Sequence, residues 1–216
     1  MRGLPAKSRV PPLTPRALAK GVATSVGEAR VWLSRPRTAS VGLLVLGHGA
    51  GGGVEAPDLV AVTDAAFDVG WTVARVEQPY RVAGRRAPDR APNLDQAWTE
   101  VVASLRGRSR KPLVTGGRSS GARVACRTAA STGAAGVICL AFPLRPPGRP
   151  DAASRADELL AVPVPVLVVQ GERDPFGSPA DLPAGPTVVG VPDDHSLRRS
   201  ATAAADAVRR WLQTVT

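Results

Sequence analysis

Short, almost unbroken apolar runs at residues 41–46, 136–142 and 164–170 alternate with segments of helical spacing, and this alternation narrows the fold more than any other property of the chain. A strand reads as a continuous apolar run when both of its faces are buried, and that happens in parallel sheets whose crossovers carry helices. The expected architecture is α/β, a mostly parallel central sheet with helices on both faces. Strand signals fall at residues 22–24 and 29–34, a hairpin around Gly27, and then at 41–46, 72–76, 113–115, 136–142, 164–170 and 187–191. Helical patterns occupy 58–68, 94–105, 122–130, 152–160 and 197–212. Gly70 and Gly107 follow two of them as stop signals, and a long Pro- and Arg-rich loop precedes the second.

A chain of 216 residues fits one domain around one sheet. Residues 1–21 hold Arg2, Lys7, Arg9, Arg16 and Lys20 and no acid, which is half of the formal net charge of +10. They read as a mobile basic tail, with residues 22–216 as the single folded domain. All but three of the 28 basic residues are Arg, in a chain equally heavy in Ala, Gly and Pro, a bias that looks like GC pressure as much as polyanion binding. Stacking aromatics are scarce and no nucleic-acid module is legible, so nucleic acid is not expected as the main partner. No run of about 18 apolar residues exists to cross a membrane. Prolines at 5, 11, 12 and 15 stand where a secretory signal needs an apolar core. Cys126 and Cys139 read as buried small hydrophobes without metal-ligand spacing, and a cytoplasmic setting is expected.

Between the strand signal at 113–115 and the helical pattern at 122–130 lies Gly117-Arg118-Ser119-Ser120-Gly121. A serine on a sharp strand-to-helix turn needs glycine-sized residues two before and two after it. Gly117 and Gly121 meet that need for Ser119, whereas Ser120 would be flanked by Arg118 and Ala122. Alone, the pattern reads equally well as a polar turn, and its partners must decide.

A serine hydroxyl becomes a nucleophile when a base takes its proton, and a histidine held by a carboxylate is the usual solution. His195 follows the last strand signal, and Asp174 lies at the turn beyond the strand at 164–170, with Glu172 as a less well placed competitor. The order Ser119, Asp174, His195 matches the Ser…Asp…His arrangement of α/β-hydrolases. Asp193 and Asp194 read as turn formers. Oxyanion donors are expected from the Ser120 amide and from Ala50, or Gly51, in the loop Gly47-His48-Gly49-Ala50-Gly51-Gly52-Gly53. That loop fits no nucleotide-binding pattern, and no cofactor or metal is expected. His48 is expected to orient the loop; with Gly51, Arg81 and Arg118 it completes the candidate substrate-binding set.

Taken together, Gly47-His48-Gly49-Ala50-Gly51-Gly52, Gln78-Pro79-Tyr80-Arg81, Gly116-Gly117-Arg118-Ser119, Pro143-Leu144-Arg145-Pro146-Pro147-Gly148, Gln170-Gly171-Glu172-Arg173-Asp174-Pro175-Phe176-Gly177 and Asp194-His195-Ser196 carry a family resemblance. Over about residues 40–200 the chain resembles α/β-hydrolase-fold proteins of the dienelactone-hydrolase-like group. More narrowly, it resembles the family that includes a regulatory subunit of the non-specific-lethal histone acetyltransferase complex and testis-expressed relatives. Family members continue the serine with Met-Gly-Gly, where this chain has Ser120-Gly121-Ala122. The resemblance implies the α/β-hydrolase fold.

Two function classes follow. One is a serine hydrolase acting on a small-molecule ester or thioester through an acyl-enzyme, with a shallow site and no large lid. The other is an inactive scaffold of the same fold that binds a protein partner, against which stands the retention of all three triad residue types in order. The loop from Arg81 to Arg90 reads either as a solvated basic loop or as a recruiter of anionic substrate.

Overall fold

A computed structural model of the chain describes residues 18–149 and 151–215. Eight strands form one sheet: β1 (Leu18–Thr24), β2 (Gly27–Ser34), β3 (Gly42–Gly47), β4 (Trp71–Glu77), β5 (Leu113–Arg118), β6 (Gly136–Leu140), β7 (Val166–Gly171) and β8 (Thr187–Val191). Their spatial order is β1-β2-β4-β3-β5-β6-β7-β8. β1 and β2 form an antiparallel hairpin, β2 joins β4 antiparallel, and every pairing from β4 to β8 is parallel. The helices are α1 (Pro57–Asp68), α2 (Pro79–Val82), α3 (Ala91–Arg106), α4 (Ser120–Thr132), α5 (Ala156–Leu160) and α6 (Ala201–Leu212).

The central strands read as continuous apolar runs because alternate residues serve two cores. Leu44, Leu46, Ile138 and Leu140 point to the side where Leu59, Val62 and Ala66 of α1 meet Ala204, Val208 and Leu212 of α6. On the other side Val45 packs with Leu94, Trp98 and Val102 of α3, and Val137, Cys139 and Val168 pack with Ala122, Ala125 and Ala129 of α4. Each face is thus closed by two helices, as the alternation of signals requires.

Several boundaries depart from the sequence expectation. β1 begins at Leu18, inside the segment expected to be a mobile tail, because residues 18–21 pair with residues 30–33 of β2; the rest of that tail, residues 1–17, lies outside the described residues. The Pro- and Arg-rich loop opens with α2, which Pro79 starts at a position where its missing N–H costs nothing. α5 begins at Ala156 and not at 152. α6 begins at Ala201 and not at 197, since Leu197 is fully buried at φ 49 and its backbone cannot be helical. α5 is the only helix among the described residues between β6 and β7, and no lid domain occurs among the described residues. No helix among the described residues is long and apolar enough to cross a membrane.

Candidate active site

β5 runs directly into α4, and Ser119 occupies the single residue between them at φ 52 and ψ −110. A non-glycine residue with positive φ is strained by roughly 1–2 kcal/mol, so the surroundings must hold it there. Its amide donates to the Leu140 carbonyl of β6 at 2.9 Å. The flanking glycines do what the spacing predicts: a Cβ at Gly117 or at Gly121 would stand 2.5 Å from the carbonyl oxygen of Gly47. Ser120 is already the first residue of the helix.

Three carboxyl-edge loops bring Ser119, His195 and Asp174 together. Ser119 Oγ lies 2.9 Å from His195 Nε2, and His195 Nδ1 lies 2.8 Å from Asp174 Oδ2. With the serine hydroxyl donating to Nε2, the ring proton sits on Nδ1 and is donated to the carboxylate. Asp174 is 5% exposed, and its Oδ1 accepts the Phe176 amide at 2.8 Å. Glu172, the competing carboxylate, makes no hydrogen bond or ion pair with His195 among the described residues. Asp193 is a turn former, accepting the amides of Asp194, Arg199 and Ser200 at 2.8–2.9 Å ahead of α6.

Two neighbours of this trio lie in the Gln170–Gly177 motif, where the sequence assigned neither of them a role. Gln170, fully buried at the end of β7, donates through Nε2 to Asp174 Oδ2 at 2.9 Å and to the Gly177 carbonyl at 2.7 Å, and its Oε1 accepts the Phe142 amide at 2.8 Å. It fixes the carboxylate from behind and ties the ends of β6 and β7. The signal was an amide side chain closing an otherwise apolar strand. Phe176 stacks on the His195 ring, centroids 4.2 Å apart and planes inclined by 30°, and screens one face of the imidazole from water.

The Gly-rich loop after β3 lies against the elbow. A Cβ at Gly49 would be 3.5 Å from Ser119 Cβ and 3.3 Å from Arg118 Nη1, so the glycine makes room for both side chains. The Ala50 and Ser120 amides enter no hydrogen bond among the described residues, while the Ala50 carbonyl accepts the Tyr80 hydroxyl at 3.1 Å. Gly51 is exposed, and a Cβ there would touch nothing within 4 Å.

His48 does not join the substrate-facing set. It is 3% exposed; its Nδ1 lies 2.8 Å from the Gly49 carbonyl, and the Gln78 amide donates to its Nε2 at 3.1 Å. Both ring nitrogens are consumed by backbone, which fits the loop-orienting role. Burial lowers its pKa below 6.5, against a smaller opposing pull from the Gly49 carbonyl. Arg81 lies in α2, partly buried, and its guanidinium makes no ion pair among the described residues. Further along that loop Arg85 is already bound to Asp89 by two hydrogen bonds of 2.6 and 2.9 Å, which takes up one of the loop's four arginines. Arg118 turns inward, toward Asp58 and the His195 main chain.

A family profile described as "Alpha/beta hydrolase domain" matches residues 40–209. Among proteins of curated function, none matches the chain in sequence. Solved structures share its fold at low identity. An alpha-beta serine hydrolase homologue from Coxiella burnetii superposes with a TM-score of 0.75 at 16% identity, covering 90% of this chain and 97% of that one. A serine hydrolase without lid from Xanthomonas campestris gives 0.70 at 23% identity over 91% and 95% of the two chains. A dienelactone hydrolase from Anabaena variabilis gives 0.71 at 19% identity over 93% and 98%.

Proposed function

The chain belongs to the alpha/beta hydrolase domain family, whose profile spans residues 40–209, and from that premise we propose that it is a serine hydrolase cleaving a small ester or thioester through an acyl-enzyme on Ser119. One observation carries the reading: an unbroken hydrogen-bonded path from a strained serine, at φ 52, through His195 at 2.9 Å to buried Asp174 at 2.8 Å.

Each group has a defined task. Ser119 Oγ attacks the carbonyl carbon as its proton passes to His195 Nε2. The imidazolium so formed is stabilised by Asp174, whose charge is held in place by Gln170 and the Phe176 amide. The uncommitted amides of Ser120 and Ala50 receive the oxyanion, an effect worth about 3–4 kcal/mol per donor. His195 then gives its proton to the leaving alcohol or thiol, and water, deprotonated by the same nitrogen, releases the acid. Without a lid domain among the described residues, the site favours small acyl groups in a shallow cleft.

The finer attributes belong to the same proposal. Residues 22–216 act as one domain together with residues 18–21 of β1, and the motif set, with Pro143-Leu144-Arg145-Pro146-Pro147-Gly148 among it, supports kinship with the non-specific-lethal-complex and testis-expressed group. A cytoplasmic setting is supported by two free, buried cysteines, Cys126 and Cys139. The test is covalent labelling by a fluorophosphonate probe. Wild type should label and Ser119→Ala should not; equal labelling of the mutant would remove Ser119 from the reaction, and no labelling of either protein would favour the scaffold.

A further inference from the structure

Asp58 is a carboxylate with no exposed surface, one residue into α1, and the acyl-transfer scheme above leaves it without a task. A charged group so placed needs a partner to offset its lost hydration. Burial pushes its pKa up, and the Arg118 guanidinium, with the amides at the start of α1, pulls the other way. Arg118 Nε stands 3.1 Å from Asp58 Oδ2, a contact of charge more than an aligned hydrogen bond.

Arg118 is the residue immediately before the nucleophile, and the last of β5. Its side chain is 16% exposed. While Nε faces Asp58, Nη2 donates to the main-chain carbonyl of His195 at 2.8 Å. No other group donates to that carbonyl among the described residues. Asp193 pins the other end of the His195 loop to the start of α6. Three segments far apart in the chain, the start of α1, the nucleophile turn and the loop after β8, therefore meet on one guanidinium.

We propose that Asp58 and Arg118 form a positioning strap: Asp58 fixes the guanidinium, and the guanidinium fixes the His195 main chain at hydrogen-bonding distance from Ser119. The proposal rests on the reading of Ser119 as nucleophile. Its logic is geometric. The ring of His195 is held by Asp174 and Phe176, but the backbone that carries the ring touches the elbow through Arg118. A planar fork with several donors can serve a carboxylate and a carbonyl at once, which a lysine ammonium does less well. With Nε and Nη2 committed, Arg118 has only Nη1, lying over Gly49, to offer a substrate. This reassigns Arg118 from substrate binding to positioning.

The experiment compares wild type with Asp58→Asn, Arg118→Met, Arg118→Lys and the Asp58→Asn/Arg118→Met double variant. Fluorophosphonate labelling rates and steady-state hydrolysis of p-nitrophenyl acetate are read on protein whose fold is checked by thermal melting. A misplacement of about 1 Å costs about 100-fold in rate, so each single variant should lose about 10- to 100-fold in kcat and in labelling rate, with KM within about twofold of wild type. Arg118→Lys keeps a cation beside Asp58 and should melt near wild type while remaining slow, which separates positioning from stability. The double variant should be no slower than Arg118→Met, because both changes break one element.

Wild-type kcat in Asp58→Asn and Arg118→Lys would overturn the strap, as would a loss confined to KM, which would mark Arg118 as a substrate ligand. Fully additive losses would overturn it as well. Labelling of Ser119→Ala at the wild-type rate, or no labelling of wild type, would instead strike the hydrolase reading and take the strap with it; a silent Ser119→Ala beside wild-type-like strap variants sinks the strap alone.

Discussion

Gly121, the second residue of α4, closes on the Gly47 carbonyl at the end of β3 so tightly that a Cβ would stand 2.5 Å from that oxygen and 2.6 Å from its carbon. Both obstacles are backbone, so neither can swing away. Gly121→Ala should destabilise the protein by about 1–3 kcal/mol, the usual cost of overpacking. The displaced helix start should also slow Ser119, and a lowered urea midpoint together with slower probe labelling checks both effects.

Asp174→Asn preserves shape but offers His195 an amide that can impose the wrong tautomer. For a triad of this kind the change costs about 10⁴-fold in kcat. Gln170→Leu should be milder, about 10-fold, because Asp174 keeps the Phe176 amide while losing the Gln170 donor. Steady-state rates on one small ester compare the two, and an effect of Gln170→Leu equal to that of Asp174→Asn would show that the carboxylate depends on Gln170 entirely.

His48 makes stability depend on pH. Its pKa in the folded protein is lowered from 6.5 by burial, so the unfolded chain binds the extra proton first. The contribution of neutral His48 is complete above about 6.5 and is lost as pH falls through the lower folded value. The difference in unfolding free energy between wild type and His48→Gln should therefore be flat above about pH 7 and shrink on acidification. A difference unchanged between pH 7 and pH 5 would contradict the burial of a neutral imidazole.

Arg127 joins α3 to α5 across α4, with Asp95 at 2.7 and 2.8 Å and Glu158 at 3.3 Å, and Glu158 also takes Arg123 at 2.6 and 2.8 Å. These side chains are 19–28% exposed, so they form a partly shielded network. Exposed pairs contribute about 0.2–1 kcal/mol each. Arg127→Ala should cost about 1–2 kcal/mol, more than a lone surface pair, without altering kcat. Chemical denaturation at low and high salt measures it.

How far the sequence reaches depends on how local the physics is. The parallel strands were legible because a strand buried on both faces must be apolar at every position, and Ser119, Asp174 and His195 because chain order and strand ends locate them. Gly117 and Gly121 were legible because a close backbone approach admits one residue type. The start of α6 was not, since Leu197 supplies the apolar residue a helix wants and yet sits at φ 49. β5 extends to Arg118 because residue 118 pairs with Leu140 of β6, a partner outside any local window. The Asp58–Arg118 contact spans 60 positions of chain, and nothing near either residue announces the other. Polar partnerships made by folding are where the pattern falls silent.

The left-handed backbone of Ser119 has a consequence for the stability of such a chain. A glycine would relieve the φ of 52 at no steric cost, so Ser119→Gly should melt at a higher temperature than wild type while losing all reaction with the probe. Ser119 shares positive φ with Ala141 and Leu197, but of the three it is the one whose side chain the proposed reaction uses, so there the strain is a cost borne by the proposed chemistry.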